Sequence, residues 1–531
     1  MRGIFKANEK LKNYARELLN AQRTVRAEEF RKSLSKKGET FENIIDLYNS
    51  YFEPPGEVKE FDGEVIDPLY GPVSLTPTAR KIVSLPIVNR LRFIKQLSFS
   101  YITYPPANHT RFEHSIGVYY LARKLVEVEA VGKLLNEELK EAFSAAALIH
   151  DLGQGPGSHS LEKFFGGKYD ENKTIKILTE EEFGFKDILD SNLLNLMVRI
   201  LPGGEPPDPN KENEAIFTFL REALDSEVDI DRLDFLNRDR YFCGIHTGGV
   251  DALLILKYCK PGYKNGWRYS FSDDPRAIEM INAVISARRE LYPLVYQEEK
   301  RMAADEAYSH ALFAFLYENS PKDWQKLANK IIYLTDYQVI SLLMLSPNKY
   351  VQEFVNSIIN CDIPYIKCYD VELEKNQIAE RLYKILQGFL MDGVVLLETA
   401  FCDLLGIETS GPCPRLFIRY PWRGRDPEIE KKSTVLIHTK NGEIRNIDDE
   451  GFSEIARQLL KVVLPTYAKI FFFVDRRFKE KAETILRKIF ETPKIGEKFL
   501  EEVKNICQPI GALPTFEEAR FSQKFKQLVS S

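Results

Sequence analysis

The chain has 531 residues, 44% of them hydrophobic and 28% charged, and carries a net charge of −5 at pH 7. That is the profile of a soluble globular protein with room for a large core and appended lobes. It argues against a whole-chain nucleic-acid binder. There is no run of about 18 apolar residues to cross a membrane. The amino-terminal stretch MRGIFKANEKLKNYARELL is charged throughout and reads as no secretory signal. Seven cysteines are scattered without a CxxC pair, which fits a reduced, cytoplasmic setting.

In chain order, residues 1–50 read as helical, with Leu11, Tyr14, Leu18 and Leu19 at helical spacing. Residues 1–40 hold 11 Lys/Arg against 5 Asp/Glu, a pattern better explained by a solvated amphipathic helix than by a nucleic-acid arm. Glu53-Pro-Pro-Gly-Glu57 punctuates the chain as a linker. Helical patterning dominates from 61 to about 400, with loops at Gly153–Ser158 and Leu201–Asn210. After about 405 the character changes. Leu416–Tyr420, Thr434–Thr439 and Ile470–Val474 read as strands, and Asn441-Gly442 marks a hairpin. Helices are expected over 451–463 and 476–491. The expected fold class is mainly α. It comprises a helical extension and linker (1–60), a helical core (61–405) and a smaller α+β lobe (406–531) suited to packing or assembly.

Of seven histidines, four fall between 109 and 159: His109, His114, His150 and His159. His114 opens a helix. The segment Ala145-Ala-Ala-Leu-Ile-His150-Asp151-Leu-Gly153 is a small-residue helix ending in an adjacent His-Asp pair. An imidazole and a carboxylate at a semi-buried helix end cost several kcal/mol without partners. A divalent cation resolves that cost, and mixed N and O ligands suit Mn, Fe, Zn or Mg. For the dipeptide alone, helix capping is the simpler account. The run Asp229-Ile-Asp231-Arg232-Leu-Asp234-Phe-Leu-Asn-Arg-Asp239 shifts the balance, because Leu233, Phe235 and Leu236 require a packed helix whose acids must partly look inward. Asp231 can complete a two-histidine, two-aspartate site that lowers the pKa of a water.

These residues, in this order, resemble the HD superfamily of metal phosphohydrolases. More narrowly they resemble the deoxynucleoside triphosphate triphosphohydrolases. The signature segments are Ile66–Gly71, Asn89–Leu97, Arg111–Val118, His150–Gly153 and Asp229–Asp239. No SAM domain is read at the N-terminus. The resemblance implies a helical HD core that splits a dNTP into deoxynucleoside and triphosphate. It implies that His114, His150, Asp151 and Asp231 bind the metal, with Arg111 on phosphate oxygens. Gln96 and Asp239 would bond the sugar 3′-hydroxyl. Leu97 and Tyr296 would crowd the 2′ carbon, and Arg288 and Gln297 match substrate-side positions. His159 would donate a proton to the leaving 5′ oxygen, oriented by Glu162. A nucleotide substrate and a homo-oligomer follow from the same resemblance.

The chain also departs from the family pattern. Gln154 stands where the family usually has His, Asp170 where it has a second His, and Phe235 where a Tyr is common. Around the family's activator site, Ser84 and Asn89 replace the usual polar readers, and Glu298 and Glu299 stand where basic residues grip phosphate, although Arg92 remains. These changes keep two alternatives open. One is an HD nuclease, phosphodiesterase or nucleotidase of other specificity. The other is a metal-containing nucleic-acid-binding or scaffold protein with little turnover.

Overall fold

The structure is a computed structural model and describes residues 40–53, 61, 63–166, 169–208, 211, 214–246, 248–421, 435–447, 449, 469–507, 515–516 and 518–530. Most of the expected helix over 1–50, the 53–57 linker apart from its first residue, and the expected helix over 451–463 lie outside them. The fold is mainly α with short strands, as the patterning requires. No helix of the described residues is long and apolar enough to cross a membrane.

Two apolar cores organise the chain. The first gathers buried residues between Val73 and Val295. Its centre is the helix Arg111–Glu127 packed on Glu137–Ile149, and Ile230–Cys243 packs on the former. Arg111–Glu127 starts where it does because Thr110 and Glu113 form a reciprocal capping box. The run Ser144-Ala-Ala-Ala in Glu137–Ile149 is wholly buried, and its small side chains let the two helices approach closely. Asp229 caps Ile230–Cys243 by accepting from the Arg232 amide.

The second core runs from Leu161 through the helix Glu299–Asn319 to Val529, and it also takes in Phe41, Ile45 and Phe99. It carries a three-stranded antiparallel sheet in the order Tyr365–Glu372, Lys469–Asp475, Leu416–Arg419. The expected strands at 416–420 and 470–474 are both in it, and the helix Lys479–Glu491 follows as expected after a short 3-10 turn.

The Asn-Gly hairpin is present but sits elsewhere. Leu436–His438 pairs antiparallel with Ile444–Asn446, and on its other side parallel with Ser270–Ser272. Val435, Ile437 and Ile447 are buried in the first core. The hairpin therefore closes onto the helical core and not onto the three-stranded sheet. Turn chemistry fixes a hairpin locally but says nothing about which distant strand pairs with its edge.

Candidate functional site

Three helices bring the histidines and acids together. His114 lies in the first turn of Arg111–Glu127, His150 is the C-cap of Glu137–Ile149, and Asp231 lies in the first turn of Ile230–Cys243. The ligand atoms of His114, His150 and Asp231 all lie within 4.8 Å of one another. His114 Nε2 is 2.9 Å from Asp231 Oδ1, and His150 Nε2 is 3.5 Å from the same oxygen. Asp151 Oδ2 stands 3.7 Å from His150 Nε2 and 3.8 Å from His114 Nε2.

The donor set fits a divalent cation. Both Nε2 atoms are buried and make no well-aligned hydrogen bond among the described residues, facing only the carboxylates of Asp231 and Asp151, and a cation between them would satisfy both imidazoles and carboxylates. The other ring nitrogens are fixed: His114 Nδ1 meets Asp234 Oδ2 at 2.7 Å, and His150 Nδ1 donates to the Ala147 carbonyl at 2.9 Å. Both Nε2 lone pairs are thereby turned toward Asp231, the arrangement that metal-binding imidazoles need. Electrostatics agree. Burial pushes His114 down, but Asp231 and Asp234 outweigh it and raise it to about 10. Burial pushes Asp151 up, but Arg111, His150 and His114 hold it down at about 2. Without a cation these groups hold one another in charged form.

Behind them lies a buried chain of charge that the sequence did not reveal. Asp234 accepts from Arg238 Nε and Nη2 at 2.8 Å each, and Arg238 Nη1 reaches Asp67 at 2.8 Å. Gly117 makes room for this chain: a Cβ there would sit 2.6 Å from Asp234 Cγ. The Asp229–Asp239 acids do look inward, each to a different task.

This His/Asp cluster forms the floor of a cavity of about 410 Å³. Its lining includes Gln96, Leu97, Arg111, Asp151, Gln154, His159, Glu162, Asp231, Asp239, Arg288, Tyr296 and Gln297. His114 and His150 lie beneath this surface. Arg111 is buried, donates through Nε to Ser158 Oγ at 3.1 Å and through Nη1 to Asp151, and its Nη2 has no partner among the described residues. His159 Nδ1 meets Glu162 Oε1 at 2.8 Å, and the imidazole is 41% exposed. Tyr296 donates to Asp239 Oδ2 at 2.6 Å, and Gln96 Oε1 is buried without a partner among the described residues. Tyr292 and Tyr296 reach the cavity because Pro275–Leu291 ends in a π-helical turn, Tyr292–Tyr296, with Pro293 inside it.

Sequence reasoning missed three contributors. His109 Nε2 holds Asp239 Oδ1 at 2.8 Å and stacks on Phe242; its place in the histidine cluster was the available signal. Arg232, ion-paired with Asp229, lines the cavity beside Asp231. The third is a wall of C-terminal side chains, including Arg419, Tyr420, Lys469 and Phe471. The two departures Gln154 and Asp170 meet each other: the Gln154 amide donates to the Asp170 carboxylate, and Asp170 is buried. At the activator-like region the changed residues serve the fold. Glu298 caps Glu299–Asn319, Glu299 pairs with Lys367 at 2.7 Å, and the Asn89 amide donates to Val83 O at 2.6 Å.

Comparison with known proteins agrees with this geometry. Residues 111–215 match the HD domain family. The chain is 30% identical over 287 residues to an uncharacterized protein of Methanocaldococcus jannaschii, covering 53% of this chain and 55% of that one. It is 29% identical over 255 residues to the deoxynucleoside triphosphate triphosphohydrolase of Mus musculus (42% and 38% covered), and 32% identical over 267 residues to that of Danio rerio (44% and 42%). The chain spans about half the length, or less, of these curated relatives. A phosphohydrolase structure from Bacteroides thetaiotaomicron superposes with a TM-score of 0.58 at 22% identity, covering 78% of this chain and 100% of that one. A hypothetical protein from Aquifex aeolicus gives 0.56 at 23% identity, covering 81% and 99%. Those two likenesses establish the shared fold. The chain is thus similar to the HD domain family over residues 111–215, and to the deoxynucleoside triphosphate triphosphohydrolases over the stretches given.

Proposed function

We propose that the protein is a metal-dependent phosphohydrolase that splits a deoxynucleoside triphosphate into deoxynucleoside and triphosphate. The observation that carries this reading is the pair of buried Nε2 atoms converging with the Asp231 carboxylate on the floor of a cavity lined by Arg111, Gln96, Asp239 and Tyr296. His114, His150 and Asp231 would hold the cation, with Asp151 as the fourth ligand. A divalent ion held there would supply Lewis acidity and lower the pKa of a water.

The chain's own residues do the rest. Arg111, fixed by Ser158 and Asp151, turns its remaining Nη2 to a phosphate oxygen. His159, with Nδ1 engaged by Glu162, delivers a proton from Nε2 to the departing 5′ oxygen. His109 and Tyr296 each occupy one oxygen of Asp239. Each oxygen retains a lone pair, so the carboxylate still accepts from a 3′-hydroxyl. Leu97 and Tyr296 crowd the 2′ carbon and disfavour a ribose.

The Gln154–Asp170 pair favours one second reading, an HD phosphohydrolase with another phosphoester substrate, because it brings no positive charge to the phosphate end. Incubation with each dNTP, each NTP and a single-stranded oligonucleotide, with Mn, Mg, Fe or Zn, separates the two once products are identified by mass. Inorganic triphosphate from dNTPs supports the first reading. Monophosphates or shortened oligonucleotides support the second. Absence of turnover with metal bound rejects both and leaves the scaffold alternative.

A further inference from the structure

The C-terminal sheet presents one face to the cavity. Phe471 and Arg419 are partners across the antiparallel ladder, so they share a face. Lys469, two residues along from Phe471, lies on the same face, and all three line the cavity. Ile470 and Phe472 alternate to the other side and are fully buried.

Arg419 is held in place. Its Nη1 donates to Glu306 Oε1 at 3.4 Å and Asp305 Oδ2 at 3.5 Å, both from the buried helix Glu299–Asn319. Those acids have other cations as well: Lys163 pairs with Glu306, and Arg301 Nε lies 3.5 Å from Asp305. Lys163 also donates to the Ile418 carbonyl at 2.7 Å. The strand bearing Arg419 is thus clamped to the segment that carries His159 and Glu162. These bonds engage only Nη1 of the guanidinium, and the side chain is 23% exposed. A guanidinium anchored through one nitrogen, with two donors left toward a cavity, suits a phosphate oxygen pair.

We propose that Arg419 binds the terminal phosphate of the substrate, so that the C-terminal sheet selects ligands by the length of their polyphosphate chain. This rests on the cavity being a nucleotide phosphohydrolase site. It makes up for the phosphate-end positive charge that Gln154 and Asp170 do not bring. The lobe read from sequence as packing or assembly material thereby supplies a specificity residue.

The test uses the full chain and the variants Arg419→Gln and Arg419→Lys, with KM or competitive Ki measured for dATP, dADP and dAMP. Loss of a charge-assisted contact is expected to weaken dATP by about tenfold or more in Arg419→Gln. dAMP should be nearly unaffected, kcat should change little, and Lys should restore part of the loss. Equal weakening of all three nucleotides, or of none, overturns the proposal. So does a loss that tracks a fall in Tm and is not restored by Lys. If the wild type hydrolyses no dNTP, the functional reading fails, and Arg419 is then judged by binding alone. Tripolyphosphate bound more tightly than orthophosphate, with the preference lost in Arg419→Gln, supports the role. No preference in the wild type overturns it.

Discussion

Gly117→Ala adds one methyl group, and its consequence can be worked from the packing behind His114. The new Cβ would lie 2.6 Å from Asp234 Cγ and closer still to Asp234 Oδ1 and Arg238 Nη2, inside the 3.0 Å that real Cβ atoms essentially never show. Neither neighbour is the loose end of a flexible chain. Asp234 and Arg238 are both fully buried, and they are bonded to each other, to His114 and to Asp67. Overpacking a tight site costs about 1–3 kcal/mol, and disrupting a buried ion pair costs about 3–5 kcal/mol. Relieving the clash is what disturbs the pair, so the two costs overlap and about 3–5 kcal/mol is expected, with a fall in Tm of roughly 3–5 °C for a chain of 531 residues. His114 also loses the carboxylate that orients it, which lowers metal affinity by about 10–100-fold. Thermal unfolding and a metal titration measure the two effects. Wild-type Tm together with wild-type metal affinity in Gly117→Ala would refute the claim that Asp234 and Arg238 support the site.

His159→Asn is expected to lower kcat by about 10²–10⁴ with little change in KM, and Glu162→Gln should act in the same direction less strongly; a KM effect alone would remove His159 from proton transfer. Tyr296→Ala opens the space beside the 2′ carbon, so the dNTP over NTP preference in kcat/KM should narrow, and an unchanged ratio would count against that role. Burial pushes the Glu306 carboxyl up, but Lys163, Arg419 and His310 outweigh it and hold it below its usual value of 4.5. A depressed folded-state value stabilises above about pH 4.5 and loses that contribution as pH falls below it. The acid limb of stability should therefore be flatter in Glu306→Gln, and an unaltered pH profile would contradict the pairing. With Glu298 and Glu299 committed to a helix cap and to Lys367, GTP should not activate turnover; strong activation by GTP would reverse that reading.

The convergence of His114, His150 and Asp231 was legible because the signals are local. A small-residue helix ending in His150-Asp151, and acids on a helix whose apolar residues demand packing, both declare themselves within a dozen positions. What lay behind them was not legible. Asp234 shares a helix with Asp231 and Asp239, and only the neighbouring helices decide that it faces His114 Nδ1 and that His109 and Tyr296 hold Asp239. The strands at 416–420 and 470–474 were readable from alternation and apolar runs. The second of them also pairs with Tyr365–Glu372, which lies far away in sequence, and nothing local announces that pairing. The same holds for Arg419, an unremarkable strand arginine until the sheet turns its face to the cavity.

The central claim is tested most directly by hydrolysis of a dNTP in ¹⁸O-labelled water, with mass analysis of both products. If water attacks the α-phosphorus while His159 protonates the 5′ oxygen, inorganic triphosphate carries one labelled oxygen and the deoxynucleoside carries none. Label in the deoxynucleoside, or release of pyrophosphate with a nucleoside monophosphate, would contradict the account.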